Sequence, residues 1–284
     1  MKKWNLIVDV GRCHNSSNCF LSVADEYQRN EHQGYTAEMP LHGHRWIDIR
    51  KKERGQHPMV DVAYLPTMCM HCDEAPCIDA AKNNAVKKRK DGIVMIDPER
   101  AKGQKQLIDA CPYGAIWWNE EKQLPQHWIF DAHLLDSGWK EPRCVQSCPT
   151  GALRSVFLED VEMEKLKTEE DLEELCPEYR TKPRVHYKNL HFYNKCFIGG
   201  TVVAINNDVE DCLEGAIVLL YKNSSKLNEV VSDAFGEFKF DSLDPESGDY
   251  QVEIMHTNYE STSLNVVLED SVYTGVHVLE LRKN

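Results

Sequence analysis

The residues with the clearest chemical meaning are four cysteines in the first half of the chain. Three follow the spacing C-x2-C-x4-C and the fourth stands directly before Pro112; they are Cys69, Cys72, Cys77 and Cys111. Three thiolates close in sequence can bind three irons of a cubane, and in ferredoxin-type proteins a distant cysteine followed by proline supplies the fourth ligand. The spacing therefore predicts one [4Fe–4S] cluster on these four thiolates.

Zinc is the alternative occupant, since four cysteine thiolates also make a structural zinc site. A second Cys-Pro pair, Cys148–Pro149, follows Cys144 in another C-x3-C-P ending of the ferredoxin type. Two such endings in the order expected of a ferredoxin favour iron–sulfur over zinc.

A second candidate cluster site combines the N-terminal cysteines with this later Cys-Pro pair. A C-x2-C-x2-C-x3-C run that starts at Cys13 needs ligands at positions 13, 16, 19 and 23. The candidate ligands are therefore Cys13, Ser16, Cys19 and Cys148, with a serine in place of one thiol. Three outcomes stay open: a [4Fe–4S] cluster with Ser16 as a ligand, a [3Fe–4S] cluster, or no cluster.

Two partner clusters of a complete ferredoxin arrangement are predicted to be absent. Val23 occupies a ligand position of the cluster that Cys144 would share, and a valine side chain cannot bind iron. Ala81 stands where a fourth cysteine would follow Cys77, and the segment 105–110 before Cys111 contains no cysteine. We predict one full cluster, with the second site undecided.

Length, charge and cysteine use restrict the class of protein. The chain has 284 residues, which suggests about two domains, and eleven cysteines whose clustered spacing favours metal binding in a reducing compartment over disulfides. The N-terminus shows no leader, and no apolar run approaches the roughly 20 residues of a membrane helix. We expect a cytoplasmic protein with no membrane partner. From Cys196 onward five Lys+Arg face sixteen Asp+Glu, which makes nucleic acid an unsuitable partner.

The pattern of apolar residues predicts an α+β protein of two domains. Residues 1–194 are assigned to a ferredoxin-like iron–sulfur domain, in which 101–110 is predicted to be the helix that delivers Cys111. Residues 195–284 contain seven short β-rich runs separated by Gly, Asp, Asn and Ser, which is typical of a β-sandwich. The acidic second domain is therefore predicted to be a seven-stranded sandwich of immunoglobulin-like or transthyretin-like architecture.

Several segments along the whole chain resemble one known family. They are GRCHNSSNCF (11–20), GYTAEMP (34–40), HRWIDIRKKERG (44–55), PTMCMHCDEAPC (66–77), DGIVMIDPERAKGQKQLIDACPYG (91–114), AHLLDSGW (132–139) and TKPRVHYKNL (181–190). Together they resemble the small (beta) iron–sulfur subunits of pyrogallol–phloroglucinol transhydroxylases, in the dimethyl sulfoxide reductase superfamily. The resemblance implies a heterodimer whose large catalytic subunit holds molybdenum on two pterin–guanine dinucleotides.

This sequence departs from the family at several ligand positions. Where the family has cysteines, this chain has Ser16, Val23, Trp128 and Asp131. Trp128 and Asp131 lie three positions apart, the spacing of a lost C-x2-C before Cys144. We expect the Trp128 side chain to be buried and to fill space that a cluster would take, because protein interiors are close-packed.

Three functional hypotheses follow, and all of them place the chemistry on the partner chain. In the first, the chain is the non-catalytic iron–sulfur subunit of a transhydroxylase-type molybdenum enzyme that acts on polyhydroxylated aromatics. Moving a hydroxyl between phenolic rings requires no net external electrons, so lost clusters are tolerable. In the second, the chain is the electron-transfer subunit of a net-redox phenol hydroxylase or dehydroxylase. In the third, it is a structural scaffold without clusters.

Overall fold

The structure is a computed structural model that describes residues 1–206 and 209–282. The chain forms two compact units. The first unit contains Met1–Lys51 and Tyr64–Leu190, and the second contains Lys52–Ala63 with the described residues from His191 onward. The sequence placed the domain boundary after residue 194; in the structure the segment 52–63, which precedes the cysteines, belongs to the second unit.

The first unit combines short helices with small sheets and hairpins. Its helices are α1 (Asn18–Tyr27), α2 (Pro76–Asp79), α3 (Gln106–Asp109), α4 (Ala132–Asp136), α5 (Arg143–Gln146) and α6 (Asp160–Glu169). The strands up to residue 190, of which β2 and β3 continue into the second unit, are β1 (Lys3–Asp9), β2 (Ile47–Gln56), β3 (Met59–Met68), β4 (Val86–Lys88), β5 (Val94–Ile96), β6 (Trp117–Asn119), β7 (Leu124–Gln126), β8 (Leu153–Leu158) and β9 (Val185–Lys188).

Strand β1 is the centre of the largest sheet in the first unit. It pairs antiparallel with β8 and parallel with β9. Its middle residues Leu6, Ile7 and Val8 are buried, so the strand is covered on both faces, as its continuous apolar run predicts. Burying such side chains contributes about 1.5–3 kcal/mol each relative to exposure. The short hairpins β4–β5 and β6–β7 complete the unit.

Helix α3 is much shorter than the helix predicted over residues 101–110. Only Gln106–Asp109 are helical, and turns precede them. Gly103 adopts a φ of +74°, a left-handed conformation that interrupts a right-handed helix and that glycine adopts without steric cost. The short helix ends two residues before Cys111, so this thiol still follows a helix, as predicted.

The second unit consists mainly of two four-stranded sheets. One sheet has the order β11-β10-β14 with β17 also paired to β10, and the other has the order β13-β12-β15-β16. Helix α7 (His191–Asn194) precedes the strands β10 (Cys196–Asn206), β11 (Val209–Cys212), β12 (Ile217–Lys222), β13 (Ser225–Val231), β14 (Glu237–Leu243), β15 (Gly248–Met255), β16 (Thr262–Leu268) and β17 (Val272–Leu279).

Both sheets contribute side chains to a single core, which makes the second unit a β-sandwich. Phe238 and Phe240 from one sheet and Val252 and Ile254 from the other lie at alternate positions and belong to this core. The sequence predicted seven strands, whereas the described residues after 195 form eight. The additional strand is β11, whose four residues are all exposed and carry no apolar pattern that could reveal it.

None of the described helices is long and apolar enough to cross a membrane.

Candidate metal centre

The four cysteines with the C-x2-C-x4-C spacing and its remote Cys-Pro line one cavity. We call Cys69, Cys72, Cys77 and Cys111 the four-thiol site. Cys69 follows the last residue of β3, Cys77 lies within α2, and Cys111 follows α3. Two neighbouring elements and the more distant α3 thus bring together the thiols that the spacing singled out.

The wall of this cavity is otherwise mostly apolar, and burial governs the chemistry of the thiols. Burial raises the pKa of Cys72 to about 11 and that of Cys77 to about 12, and the neighbouring Cys111 adds to both shifts. The pKa of Cys69 is raised well above its ordinary value by burial and by Cys111. Four thiolates in such a place require a bound cation, because ligand deprotonation is coupled to metal binding.

The separation of the sulfurs bears on the kind of metal group that they can bind. Tetrahedral zinc with bonds of about 2.3 Å holds its sulfur ligands roughly 3.8 Å apart. No three of these four sulfurs, all in the part of the chain that the structure describes, lie within 4.8 Å of one another. The four thiols are therefore not drawn together into a compact single-ion arrangement as they stand.

Residues that the sequence analysis missed fix the loop between Cys69 and Cys72. Lys88 Nζ donates hydrogen bonds of 2.8 Å to the carbonyls of both His71 and Cys72. The Val94 amide donates to Nδ1 of the buried His71 at 3.1 Å. Lys88 lies on β4, outside any cysteine motif, so no sequence signal pointed to it.

The second candidate site lies where α1 meets α5. We call Cys13, Cys19 and Cys148 the three-thiol site. The side chain of Asn18 donates to the carbonyl of Ser147 at 3.3 Å, which ties the start of α1 to the end of α5. The structure thus brings the three thiols together: Cys13 and Cys148 both lie near enough to Cys19 to raise its pKa.

The three thiols differ in their electrostatics. Burial raises the pKa of Cys19 to about 11, and it also raises the pKa of Cys13. Burial acts in the same direction on Cys148, but hydrogen bonds from the Leu153 and Thr150 backbone and the Thr150 hydroxyl lower its pKa below the ordinary value. Ser16, the fourth candidate ligand, is exposed.

Close-packed side chains fill the space around Cys144. Val23, Trp128, Asp131 and Cys144 are each 0 % exposed. The Trp128 ring stacks on Phe130 with ring centroids 4.9 Å apart. The expectation that Trp128 is buried is confirmed, and one thiol beside a valine and a tryptophan does not make a cluster site.

Asp131 is satisfied by the protein rather than by a metal. Its Oδ1 accepts hydrogen bonds from Tyr27 Oη at 2.6 Å and Trp128 Nε1 at 3.0 Å, and its Oδ2 accepts one from the Arg143 amide at 2.7 Å. Burial raises the pKa of this carboxyl, although the three hydrogen bonds oppose the shift. Such a network gives the carboxyl the partners that a buried polar group needs.

A similar substitution surrounds Ala81. Counting back from Cys111 with the spacing C-x2-C-x2-C-x3-C places the missing ligands at Ala101, Gln104 and Leu107. Ala101 and Leu107 are fully buried. The Gln104 amide accepts from the Lys82 N–H at 2.8 Å and donates to the Lys82 carbonyl at 3.0 Å. Apolar packing and an amide bridge thus take the positions of the absent thiolates.

Comparisons with known proteins agree with this arrangement of cysteines. The family model of a 4Fe-4S dicluster domain matches residues 60–158. The pyrogallol hydroxytransferase small subunit of Pelobacter acidigallici is 44% identical over 273 residues, which cover 95% of this chain and 96% of that protein. A tetrathionate reductase subunit of Salmonella typhimurium is 30% identical over 66% of this chain and 73% of its own length.

Among solved structures, a minor pilin of Streptococcus agalactiae matches 35% of this chain and 50% of its own length, at 16% identity and a TM-score of 0.26. That likeness is too slight to support a conclusion about the fold.

Proposed function

Because the chain belongs to the family of pyrogallol hydroxytransferase small subunits, we propose that it is the iron–sulfur subunit of a transhydroxylase-type molybdenum enzyme. That enzyme would act on polyhydroxylated aromatics, and its catalytic centre would lie on a large molybdopterin-binding partner subunit. The observation that carries the proposal is the 44% identity over 95% of the chain, which spans both units. A cluster motif alone would match only the first unit. The match also includes the second unit, which supports the same kind of partner subunit for both proteins.

Within this function, the four-thiol site holds one [4Fe–4S] cluster. The shared cavity, its apolar wall, the C-x2-C-x4-C spacing with its remote Cys-Pro and the match to a 4Fe-4S family model support this assignment. When bound, such a cluster exchanges single electrons at a potential set by its charge, hydrogen bonds and exposure. The Ala115 amide lies 3.4 Å from Cys111 Sγ and donates to it, a contact that stabilises a thiolate.

The three-thiol site has three possible states: a [3Fe–4S] cluster, no cluster, or a cubane with Ser16 as the fourth ligand. The first two together are favoured over the third. Three neighbouring thiols support a [3Fe–4S] cluster, and the exposed Ser16 is a weak ligand because a hydroxyl is a far weaker acid than a thiol. Paramagnetic resonance of the oxidised complex distinguishes the three states. A [3Fe–4S] signal that disappears in Cys19→Ala supports the three-iron form. A silent spectrum with about four extra irons supports the cubane, and no extra iron leaves the site empty.

The substituted ligand positions favour transhydroxylation over net electron transfer. Pyrogallol and phloroglucinol are isomers, so their interconversion consumes no external electrons. A continuous relay of clusters is then dispensable, and packed side chains at Trp128 and Gln104 occupy two places where a relay would continue. A chain that serves mainly to stabilise its catalytic partner can lose clusters in this way.

A net-redox role is the second candidate, and one observation favours it. The tetrathionate reductase relative, at 30% identity, is by its name a subunit of a reductase. In such a role the chain would pass electrons between its partner and an external carrier.

The test is to purify the chain together with its large subunit under anaerobic conditions. Iron, sulfide and molybdenum are measured, and the conversion of pyrogallol to phloroglucinol is assayed without any external electron donor or acceptor. We expect turnover under these conditions and at least about four irons per chain. Consumption of pyrogallol that reduces an external acceptor stoichiometrically and yields an oxidised product in place of phloroglucinol would favour the net-redox role. A complex without iron would leave only a structural scaffold.

A further inference from the structure

A histidine pair and a glutamate lie together in the first unit, apart from the cysteine ligand sets. They are Glu26 on α1, His32 in the loop that follows it, and His133 on α4. We propose that this histidine–glutamate cluster binds one divalent transition-metal ion, with zinc as the best-suited ion. The site goes beyond the proposed function, which uses only cysteine-bound iron.

The ligand atoms already lie close to the separations that a metal requires. His133 Nε2 is 2.8 Å and His32 Nε2 is 3.7 Å from Glu26 Oε1, and all three ligand atoms lie within 4.8 Å of one another. Zinc bonds of about 2.0–2.2 Å to nitrogen and oxygen place tetrahedral ligands roughly 3.3–3.6 Å apart. Shifts of about half an ångström bring both distances to Glu26 Oε1 into this range. The two imidazole nitrogens, at most 4.8 Å apart, need to approach each other by no more than about 1.5 Å.

The surroundings hold the carboxylate in the required orientation. Arg143 Nη1 donates to Glu26 Oε2 at 2.6 Å, which leaves Oε1 directed at the two imidazoles. Burial alone would raise the pKa of Glu26, but the hydrogen bonds from His133 and Arg143 lower it below its ordinary value. A partner that orients a ligating carboxylate in this way is a regular feature of metal sites.

The two imidazoles are held in place by ring packing and by a closed turn. The rings of His32 and His133 lie 3.9 Å apart between centroids, and the ring of Tyr27 packs edge-on against both. The backbones of His32 and Thr36 exchange two hydrogen bonds of 3.0 Å, which fixes the loop that carries His32. Little reorganisation is needed before an ion can bind.

A metal ion can replace the protons on the two imidazole nitrogens without leaving the neighbouring hydrogen-bond acceptor unpaired. In the empty site His133 Nε2 donates to Glu26 Oε1, and its buried Nδ1 has no partner within the described part of the chain. His32 Nε2 lies 3.2 Å from the Glu26 carbonyl, which also accepts from Asn30 Nδ2 at 3.0 Å. That carbonyl therefore keeps a partner when a metal takes the imidazole nitrogen.

The ligand set indicates the class of ion. Two imidazoles and one carboxylate suit zinc and related transition metals, whereas calcium and magnesium prefer oxygen ligands throughout. Three protein ligands leave one position open, as in zinc sites that bind water or a small ligand. The side chains of His133, Glu26 and His32 are 10, 15 and 19% exposed, so solvent can reach that open position.

The experiment uses the cluster-loaded complex after mild chelation, titrated anaerobically with zinc chloride. We expect one equivalent of zinc to bind and the iron content to stay unchanged. Loss of an outer partner of a metal ligand costs about 10–100-fold in affinity, so His32→Gln, His133→Gln and Glu26→Gln should each weaken binding by at least about 100-fold. His42→Gln, at an exposed histidine outside the cluster, is the matched control and should bind as the parent does.

X-ray absorption at the zinc edge provides a second measurement that does not depend on the variants folding. Zinc in the parent complex should show only nitrogen and oxygen neighbours at about 2.0–2.2 Å. Sulfur neighbours at about 2.3 Å would mean that zinc had entered a cysteine site. That result, equal binding by parent and His32→Gln, or no zinc bound by the parent would each overturn the proposal.

Discussion

The neighbours of a cysteine in the first unit decide whether its thiol is available as an iron ligand. Cys72 and Cys144 are both buried, and burial raises the pKa of both thiols. Cys72 shares its cavity with three further cysteines, whereas Cys144 lies among Val23, Trp128 and Asp131. The same residue type is thus a candidate iron ligand in one place and part of a packed core in the other.

Replacing Cys72 with alanine tests the assignment of the four-thiol site. The variant lacks one of four ligands, so we expect it to lose about four irons per chain and most of the cluster absorbance. Cys176→Ala is the control, because Cys176 does not line this cavity. Iron and sulfide analysis of both purified complexes provides the measurement. Unchanged iron in Cys72→Ala would contradict the assignment.

Replacing Asp131 with alanine tests whether the Trp128 region is held together by hydrogen bonds. The change removes the acceptor of Tyr27 Oη, Trp128 Nε1 and the Arg143 amide. Unsatisfied buried donors cost about 1–3 kcal/mol each, so we expect a loss of at least about 3 kcal/mol in the free energy of unfolding. Denaturant unfolding measures it, and Asp249→Ala at an exposed position should change stability by less than about 0.5 kcal/mol. If Asp131→Ala and Asp249→Ala were equally stable, the Asp131 carboxylate would not be needed, and water would take its place as the hydrogen-bond acceptor.

At the scale of elements, the predicted strands are most accurate where the pattern of apolar residues determines the secondary structure. The apolar run of β1 and the alternation in β15 are both found as strands with the expected burial. The predicted helix over 101–110 was too long, because Gly103 and the side chain of Gln104 organise turns that propensity alone does not reveal. Strand β11 went unpredicted because its stability comes from pairing with β10 rather than from its own side chains.

The candidate cysteine ligands could be identified from their spacing, whereas the residues that support them could not. Lys88, Glu26 and His133 act through contacts between residues far apart in the chain. No local motif carries such contacts, since they depend on how α1, α4 and β4 pack. The sequence therefore predicts which cysteines share a cavity but not which residues orient them.

The tip of the β2–β3 hairpin provides a prediction about pH. The buried guanidinium of Arg54 bonds to Asp61 at 2.8 Å and to Asp241 on β14 at 2.9 Å. Burial alone would raise the pKa of Asp241, but the hydrogen bonds from Arg54 lower it. A carboxyl whose pKa is lower in the folded state stabilises that state above its unfolded pKa, about 3.9, and this stabilisation is lost as pH falls through the folded value.

We therefore expect Asp241→Asn to lower the free energy of unfolding of the second unit by about 1–3 kcal/mol at pH 7. The difference from the parent should shrink below about pH 4, where the parent carboxyl also takes up its proton. Hydrogen exchange of the β12 and β15 amides at a series of pH values measures this, with Asp249→Asn as the exposed control. A difference that does not change with pH would mean that the charge of Asp241 contributes nothing.

At the scale of the whole molecule, the two units have different sources of stability. The second unit has a continuous apolar core contributed by both of its sheets. In the first unit we expect the four-thiol cavity to depend on the proposed cluster, because metal-binding energy is folding energy in a site that the unfolded chain lacks. The two units should therefore respond differently to the removal of iron.

Iron removal with a strong chelator tests this difference on the intact chain. All six tryptophans lie in the first unit, so their fluorescence reports on that unit alone. We expect the emission to shift to longer wavelength as Trp128 and Trp46, both fully buried, become exposed to water. Hydrogen exchange of the strands β10 to β17 should stay as slow as before, because their core contains no iron ligand. Simultaneous loss of protection in both units would show instead that the sandwich depends on the clusters. A partial shift of the tryptophan emission in Cys72→Ala, without chelator, would assign the effect to the four-thiol site.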